Sequence, residues 1–179
     1  MEDLLDFAIA PAGPGDAAEL ARVHVRSWRE TYAGLLPQPY LDRMRPQLHA
    51  RRFQHALMSA RPGEATLIAE SATGAVGYAA GVLLRGEGRA ADAEVQTLYV
   101  LRSAQGAGLG RALLAASARV FAAQSARSLM LFVLSGNRRA RGFYEHLGGQ
   151  AFAEVASRGW GEGLAEIGYR WSDIAALTR

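Results

Sequence analysis

The stretch at residues 94–119, EVQTLYVLRSAQGAGLGRALLAASAR, constrains the fold more than any other part of this chain. Residues 94–100 have the β-branched and aromatic content of a strand, whereas Leu109, Leu113, Ala116 and Val120 recur at helical spacing. Between the two lie Gln105, Gly106, Ala107, Gly108, Leu109 and Gly110. Removing Cβ at three positions lets backbone approach a ligand closely. A helix that begins at such a turn aims unpaired N–H groups and its positive dipole end at the space above. The turn is a seat for a phosphate or pyrophosphate.

Two common phosphate-binding patterns do not fit. In G-x-G-x-x-G the third glycine falls on Arg111 when counted from Gly106 and on Leu113 when counted from Gly108. A P-loop needs a lysine, and the chain has none. The pattern present, Gln-x-x-Gly-x-Gly after a strand, resembles the acetyl-CoA motif of the GNAT acetyltransferase superfamily. About thirty residues on, an apolar strand ends at Leu134 and a helix opens at Asn137, carrying Ala140, Phe143 and Tyr144 before Gly148. That Asn-x-x-Ala-x-x-Phe-Tyr-x-x-x-Gly run resembles the second signature of the same superfamily, in the expected order.

Composition sets wide bounds. The 179 residues are 50% hydrophobic, enough for one domain with a substantial core. The absence of cysteine excludes disulfides, thiolate metal sites and a cysteine nucleophile. No apolar run approaches the ~20 residues that span a bilayer, and the acidic start lacks a signal peptide's cationic region, so a cytoplasmic protein is expected. All twenty basic residues are arginine, giving a net charge of +3. They are scattered, which speaks against a nucleic-acid face but suits an anionic ligand. The four histidines show no metal-ligand spacing, and His24 is read as helix surface or pocket wall.

Taken in order, residues 7–11 suit a first strand. Asp16 and Glu19 suggest a capping box for a helix from residue 17 to about 29. A turn-rich link leads to a second helix over residues 39–58. Residues 65–70 and 75–84 read as a hairpin, and two further strands at 151–156 and 165–171 flank a glycine-rich loop suited to a lid. The expected fold class is α/β, a mixed sheet of about six to seven strands with helices on both faces. Residues 1–60 form its acceptor side, 65–150 its acetyl-CoA-binding core and 151–171 a closing hairpin.

The resemblance implies further detail. The sheet splays centrally, between the strands ending at Val100 and Leu134. Amides from Gln105 to Gly110 hold the coenzyme A pyrophosphate, with Arg111, Asn137 and Arg141 as further cofactor contacts. Leu98, Tyr99 and Val100 pair with the pantetheine arm, and the Val100 N–H holds the oxyanion. Tyr144 occupies the position of the general acid, and Glu94, eleven residues before Gln105, that of a catalytic glutamate. The helices before residue 60 wall the acceptor pocket, which nominates Trp28 and Tyr32. The expected function is N-acetylation of a primary amine by direct attack, without a metal or a membrane partner; a homodimer is common among such domains. An amine of pKa ~10.4 is mostly protonated at pH 7, so a base has roughly 4 kcal/mol to supply. The rival reading is a non-catalytic acyl-CoA-binding regulator, which needs the glycines but neither acid nor base. No cluster of acidic residues in 17–58 or 156–163 announces the acceptor.

Overall fold

The computed structural model describes residues 6–157 and 163–179, so most of the expected lid loop, residues 158–162, lies outside the described residues. Seven strands form one mixed sheet: β1 (Phe7–Pro11), β2 (Glu64–Ser71), β3 (Gly74–Leu83), β4 (Ala93–Val100), β5 (Leu129–Leu134), β6 (Gln150–Ala156) and β7 (Ala165–Trp171). Their order is β1-β2-β3-β4-β5-β7-β6, and among these described strands only the β4–β5 pair is parallel.

Among the described residues, five α-helices cover the two faces. On one side α1 (Ala17–Tyr32), α2 (Gln38–Arg43) and α3 (Pro46–Met58) lie against the sheet, with Leu20 and Val23 packed on Ile68, Tyr78 and Leu101. On the other, α4 (Leu109–Ala122) and α5 (Arg138–His146) bury Leu114, Phe121 and Tyr144 against Val95, Leu131 and Tyr169. Apolar residues on both faces make the central strands nearly continuous in hydrophobicity, as burial on two sides demands.

Two expectations about the N-terminal helices are corrected. The single helix over 39–58 is two, because Pro46 disfavours helical backbone at the preceding residue. Arg45 is accordingly extended (φ −116°, ψ 119°). The capping box also fails to form. A short 3-10 turn, Pro14–Asp16, runs straight into α1, leaving Asp16 in a helical conformation with its carboxylate accepting the Gly13 N–H at 2.8 Å. Glu19 instead pairs with Arg22 at 2.8 Å, and Arg22 reaches the Ala75 carbonyl, tying α1 to β3.

The sheet opens at its centre. β4 and β5 pair only at Ala93 with Leu129 and Glu94 with Met130, although β4 continues to Val100 and β5 to Leu134. Asp92 pins the closed end: its carboxylate accepts the Arg127 and Ser128 N–H groups at 2.9 and 3.1 Å and the Ser128 hydroxyl at 3.1 Å. The Arg127 N–H foremost, then the Arg89 guanidinium at 2.9 Å and the Ser128 bonds, hold its pKa down at about 2. Above that pin the strands diverge. On the β3 side, a register shift opposite Gln96 bends β4, and a Cβ on Gly81 would collide with the Glu94 carbonyl.

Candidate active site

The glycine turn and the splay meet where α4 begins. Gly106 (φ +87°) and Gly108 (φ +79°) are both left-handed, and a Cβ at either would touch nothing. Backbone conformation, not crowding, demands glycine there. At Gly110 the reason is space, since its Cβ would lie 3.2 Å from the Phe143 ring, so the two signature segments pack on one another. Among the described residues, the N–H groups of 106–111 meet no protein acceptor. They form a cradle of free donors at a helix N-terminus, the requirement of a diphosphate.

Gln105 folds back so that its Nε2 donates to the Val100 carbonyl at 2.9 Å, fixing the cradle to the end of β4. The Leu101 N–H donates to the Val76 carbonyl at 2.8 Å. Because backbone groups alternate in direction along a strand, the Leu98 and Val100 N–H groups point to the other edge, the one β5 has left. The splay thus exposes two donors in a row.

Tyr144, on α5, is buried with its ring against Phe143, Tyr169 and Trp171. Burial, and then the nearby Tyr32 hydroxyl, hold its pKa well above the usual phenol range, so the group keeps its proton at neutral pH. Asn137 caps the same helix as the sequence suggests, accepting the Ala140 N–H at 3.2 Å. Arg141 is engaged elsewhere, donating to the Tyr169 hydroxyl and the Ser135 carbonyl, each at 3.2 Å. Arg111 donates to the Arg179 carbonyl at 3.2 Å.

The α1 side of the splay holds the other groups. Val95 packs toward α4, so its neighbour Glu94 faces the α1 side. Burial and the charge of Glu166 raise the Glu94 pKa, which brings it closer to the range useful to a base near neutral pH. Tyr32 and Tyr99 meet hydroxyl to hydroxyl at 3.0 Å, bridging α1 to β4. Although the Tyr99 backbone is on the candidate pantetheine strand, its ring lies with Trp28 and Tyr32 on the α1 side.

Two groups here escaped the sequence reading, and a third, His24, is corrected in part: it is buried rather than on the helix surface, with Nδ1 2.7 Å from the Tyr78 hydroxyl. Burial first, then repulsion from His49 and Arg52, lowers its pKa to about 3, so it is neutral at pH 7. Tyr78 itself is fully buried beneath Tyr99. Glu166 was also missed. Ile167 packs toward α4 and α5, so alternation puts Glu166 on the same face as Glu94, a signal present in the β7 sequence.

With this geometry in view, comparison with known proteins is specific. The model of the acetyltransferase (GNAT) family matches residues 24–149. The chain is 32% identical to the N-acetyltransferase YuaI of Bacillus subtilis, described as uncharacterized, over 90% of this chain and 91% of that one. Its fold is that of PaiA N-acetyltransferase from Thermoplasma acidophilum in complex with coenzyme A, with a TM-score of 0.75 at 17% identity over 93% and 99% of the two chains. It is also that of yncA from Salmonella typhimurium with its cofactor acetyl-CoA, with a TM-score of 0.66 at 20% identity over 93% of each chain. The chain belongs to the GNAT acetyltransferase family and is an acyltransferase.

Proposed function

We propose that the protein transfers an acetyl group from acetyl-CoA to a primary amine by direct attack within a ternary complex. The observation that carries this reading is the juxtaposition of the free amides at residues 106–111 with the unpaired Leu98 and Val100 edge of β4. The cradle fits a diphosphate, and the strand edge fits an amide-bearing arm running alongside it. Gly106, Ala107, Gly108, Leu109 and Gly110 hold the diphosphate and Leu98 and Val100 hold the arm, whereas Gln105, expected to share in the cradle, spends its own N–H on the Arg102 carbonyl and braces the turn instead. Arg111 and Asn137 stand at the margins of the cradle. Arg141 acts by fixing the turn before α5.

Acetyl-CoA supplies an activated thioester, and residues of this chain supply the rest. Glu94 takes a proton from the acceptor ammonium, directly or through water. The freed nitrogen then bonds to the thioester carbon. The Val100 N–H stabilises the oxygen as it gains charge. As the carbon–sulfur bond breaks, Tyr144 gives its proton to the departing sulfur and is reprotonated, through water, by the second proton that the nitrogen sheds as it becomes an amide. Trp28 and Tyr32 wall the acceptor entrance. Work divides along the chain, with the acceptor bound by 1–60, the donor by 65–150, and the C-terminal hairpin strands β6 and β7 completing the sheet.

The test is to incubate purified protein with acetyl-CoA and a panel of amines covering peptides, amino acids, polyamines and aminoglycosides, following thiol release. Release that depends on an amine, with the N-acetylated product seen by mass spectrometry, is the expected result. No release with any amine counts against the reading.

A further inference from the structure

Among the described residues of α5, nine in all, Tyr144 alone is buried. A helix so short, with so little apolar anchoring, does not fix its own place. That place is set by β7, where alternation turns Tyr169 and Trp171 toward the helix. Past its last turn the Trp171 indole N–H donates to the Leu147 carbonyl at 2.8 Å, and Gly149 leaves room for the ring, since a Cβ there would lie 2.8 Å from it. Within the helix the grip is the Tyr169 hydroxyl. It donates to the Glu145 carboxylate at 2.5 Å and accepts from Arg141 Nε at 3.2 Å, and Arg141 also donates to the Ser135 carbonyl at 3.2 Å. One phenol thus ties β7 to two successive turns of α5 and to the residue that follows β5. The Tyr169 ring is wholly buried, so phenylalanine would pack equally well without a hydroxyl to desolvate. What the hydroxyl adds is a pair of bonds to charged groups, which are stronger and more directional than packing. Tyr144 precedes Glu145, and its ring centroid lies 6.0 Å from that of Tyr169. Because its hydroxyl stands at the end of a long side chain, a small rotation of α5 becomes a large displacement there.

Resting on the acyl-transfer reading, we propose that Tyr169 is a positioning residue for the proton donor. By latching Glu145 and Arg141, its hydroxyl fixes the rotation of α5 and holds the Tyr144 hydroxyl where the sulfur departs. Tyr169 lies outside residues 24–149, the segment that matches the family model.

Tyr169→Phe keeps the ring and removes the latch. It is expected to lower kcat about tenfold, the scale of a displaced catalytic group, with the acetyl-CoA KM within about twofold of wild type. Glu145→Ala, at an exposed residue, is a second variant expected to do the same, and Glu145→Gln, which still accepts from the hydroxyl, to recover most of the loss. In a Tyr144→Phe background, Tyr169→Phe is expected to cost no more than about twofold further, because the group it places is gone. A purely structural role would slow both backgrounds alike. Crystals of the wild-type and Tyr169→Phe proteins with CoA read the same claim without turnover: the distance from the Tyr144 hydroxyl to the CoA sulfur is expected to lengthen by about 1 Å or more. An unchanged kcat in Tyr169→Phe, a loss that recurs in full without the Tyr144 hydroxyl, or a Tyr144 hydroxyl unmoved beside CoA each overturns the proposal. So does a Tyr144→Phe protein as fast as wild type, which leaves the latch nothing to place. A displaced Tyr144 in a protein that releases no CoA with any amine sinks the reaction reading and leaves the latch standing.

Discussion

At the scale of single residues, the account assigns opposite protonation states to two groups facing the splay. Tyr144 keeps its proton because burial forbids the phenolate, and a group that must donate at neutral pH is suited by that. Tyr144→Phe is expected to lower kcat at least ~100-fold, within the range of general acid catalysis, with CoA affinity little changed. Initial rates beside a CoA titration check both parts. Glu94 carries the contrary strain. Its pKa is raised in the folded chain, so its ionised form is disfavoured there and its contribution to stability is lost as pH rises through the folded value. Glu94→Gln is therefore expected to melt higher than wild type at pH 7, the difference closing near pH 4, while the activity optimum moves to higher pH. Melting curves across pH, set beside the pH–rate profile, test the pair. His24 contributes in the other direction. Neutral and buried, with a pKa of about 3, it lends stability above the ordinary histidine range that disappears as pH falls from about 6.5 toward 3. The slope is roughly 1.4 kcal/mol per pH unit over that window. Chemical denaturation at pH 7 and pH 5 should show the loss, and His24→Asn should flatten it.

At the scale of elements, the β4–turn–α4 unit was readable in the sequence because its requirements are local. Backbone in the left-handed region and an open helix N-terminus are written in Gly106 and Gly108 themselves. Gly108→Ala is expected to cost roughly 1–2 kcal/mol in stability, the penalty of a left-handed alanine. It should weaken CoA binding as well, since the left-handed turn that it strains carries the free amides of 106–111. Comparing unfolding free energy with CoA affinity in the same variant separates the two effects. What the sequence hid were features set by neighbours. The break between α2 and α3 was signalled by Pro46 but overridden by helical periodicity on both sides. The Asp16 cap gave way to a 3-10 turn because Pro14 and Gly15 form one more readily than an extended cap. The Asp92 pin involves residues 35 and 36 positions apart in the chain, and no local pattern reveals it.

At the scale of the whole molecule, the sheet is closed at one end and open at the other, and this asymmetry brings the free amides of 106–111 and the α1 face of the sheet to the same gap. The mixed α/β sheet of about six to seven strands was expected from the order of the elements and the central splay from the family resemblance; seven strands are found among the described residues, and β4 pairs with β5 at only two positions. Glu166 shows why the acceptor side was harder to read. It reaches that side through β7, a strand seventy residues after Glu94, and only the completed sheet places both on one face. Direct transfer also has a kinetic form. With acetyl-CoA and an amine varied together, both substrates must be present before product leaves, so double-reciprocal plots should intersect and no acetylated protein should accumulate when the amine is withheld. Parallel lines, together with an acetyl group retained on the chain after gel filtration, would contradict the account.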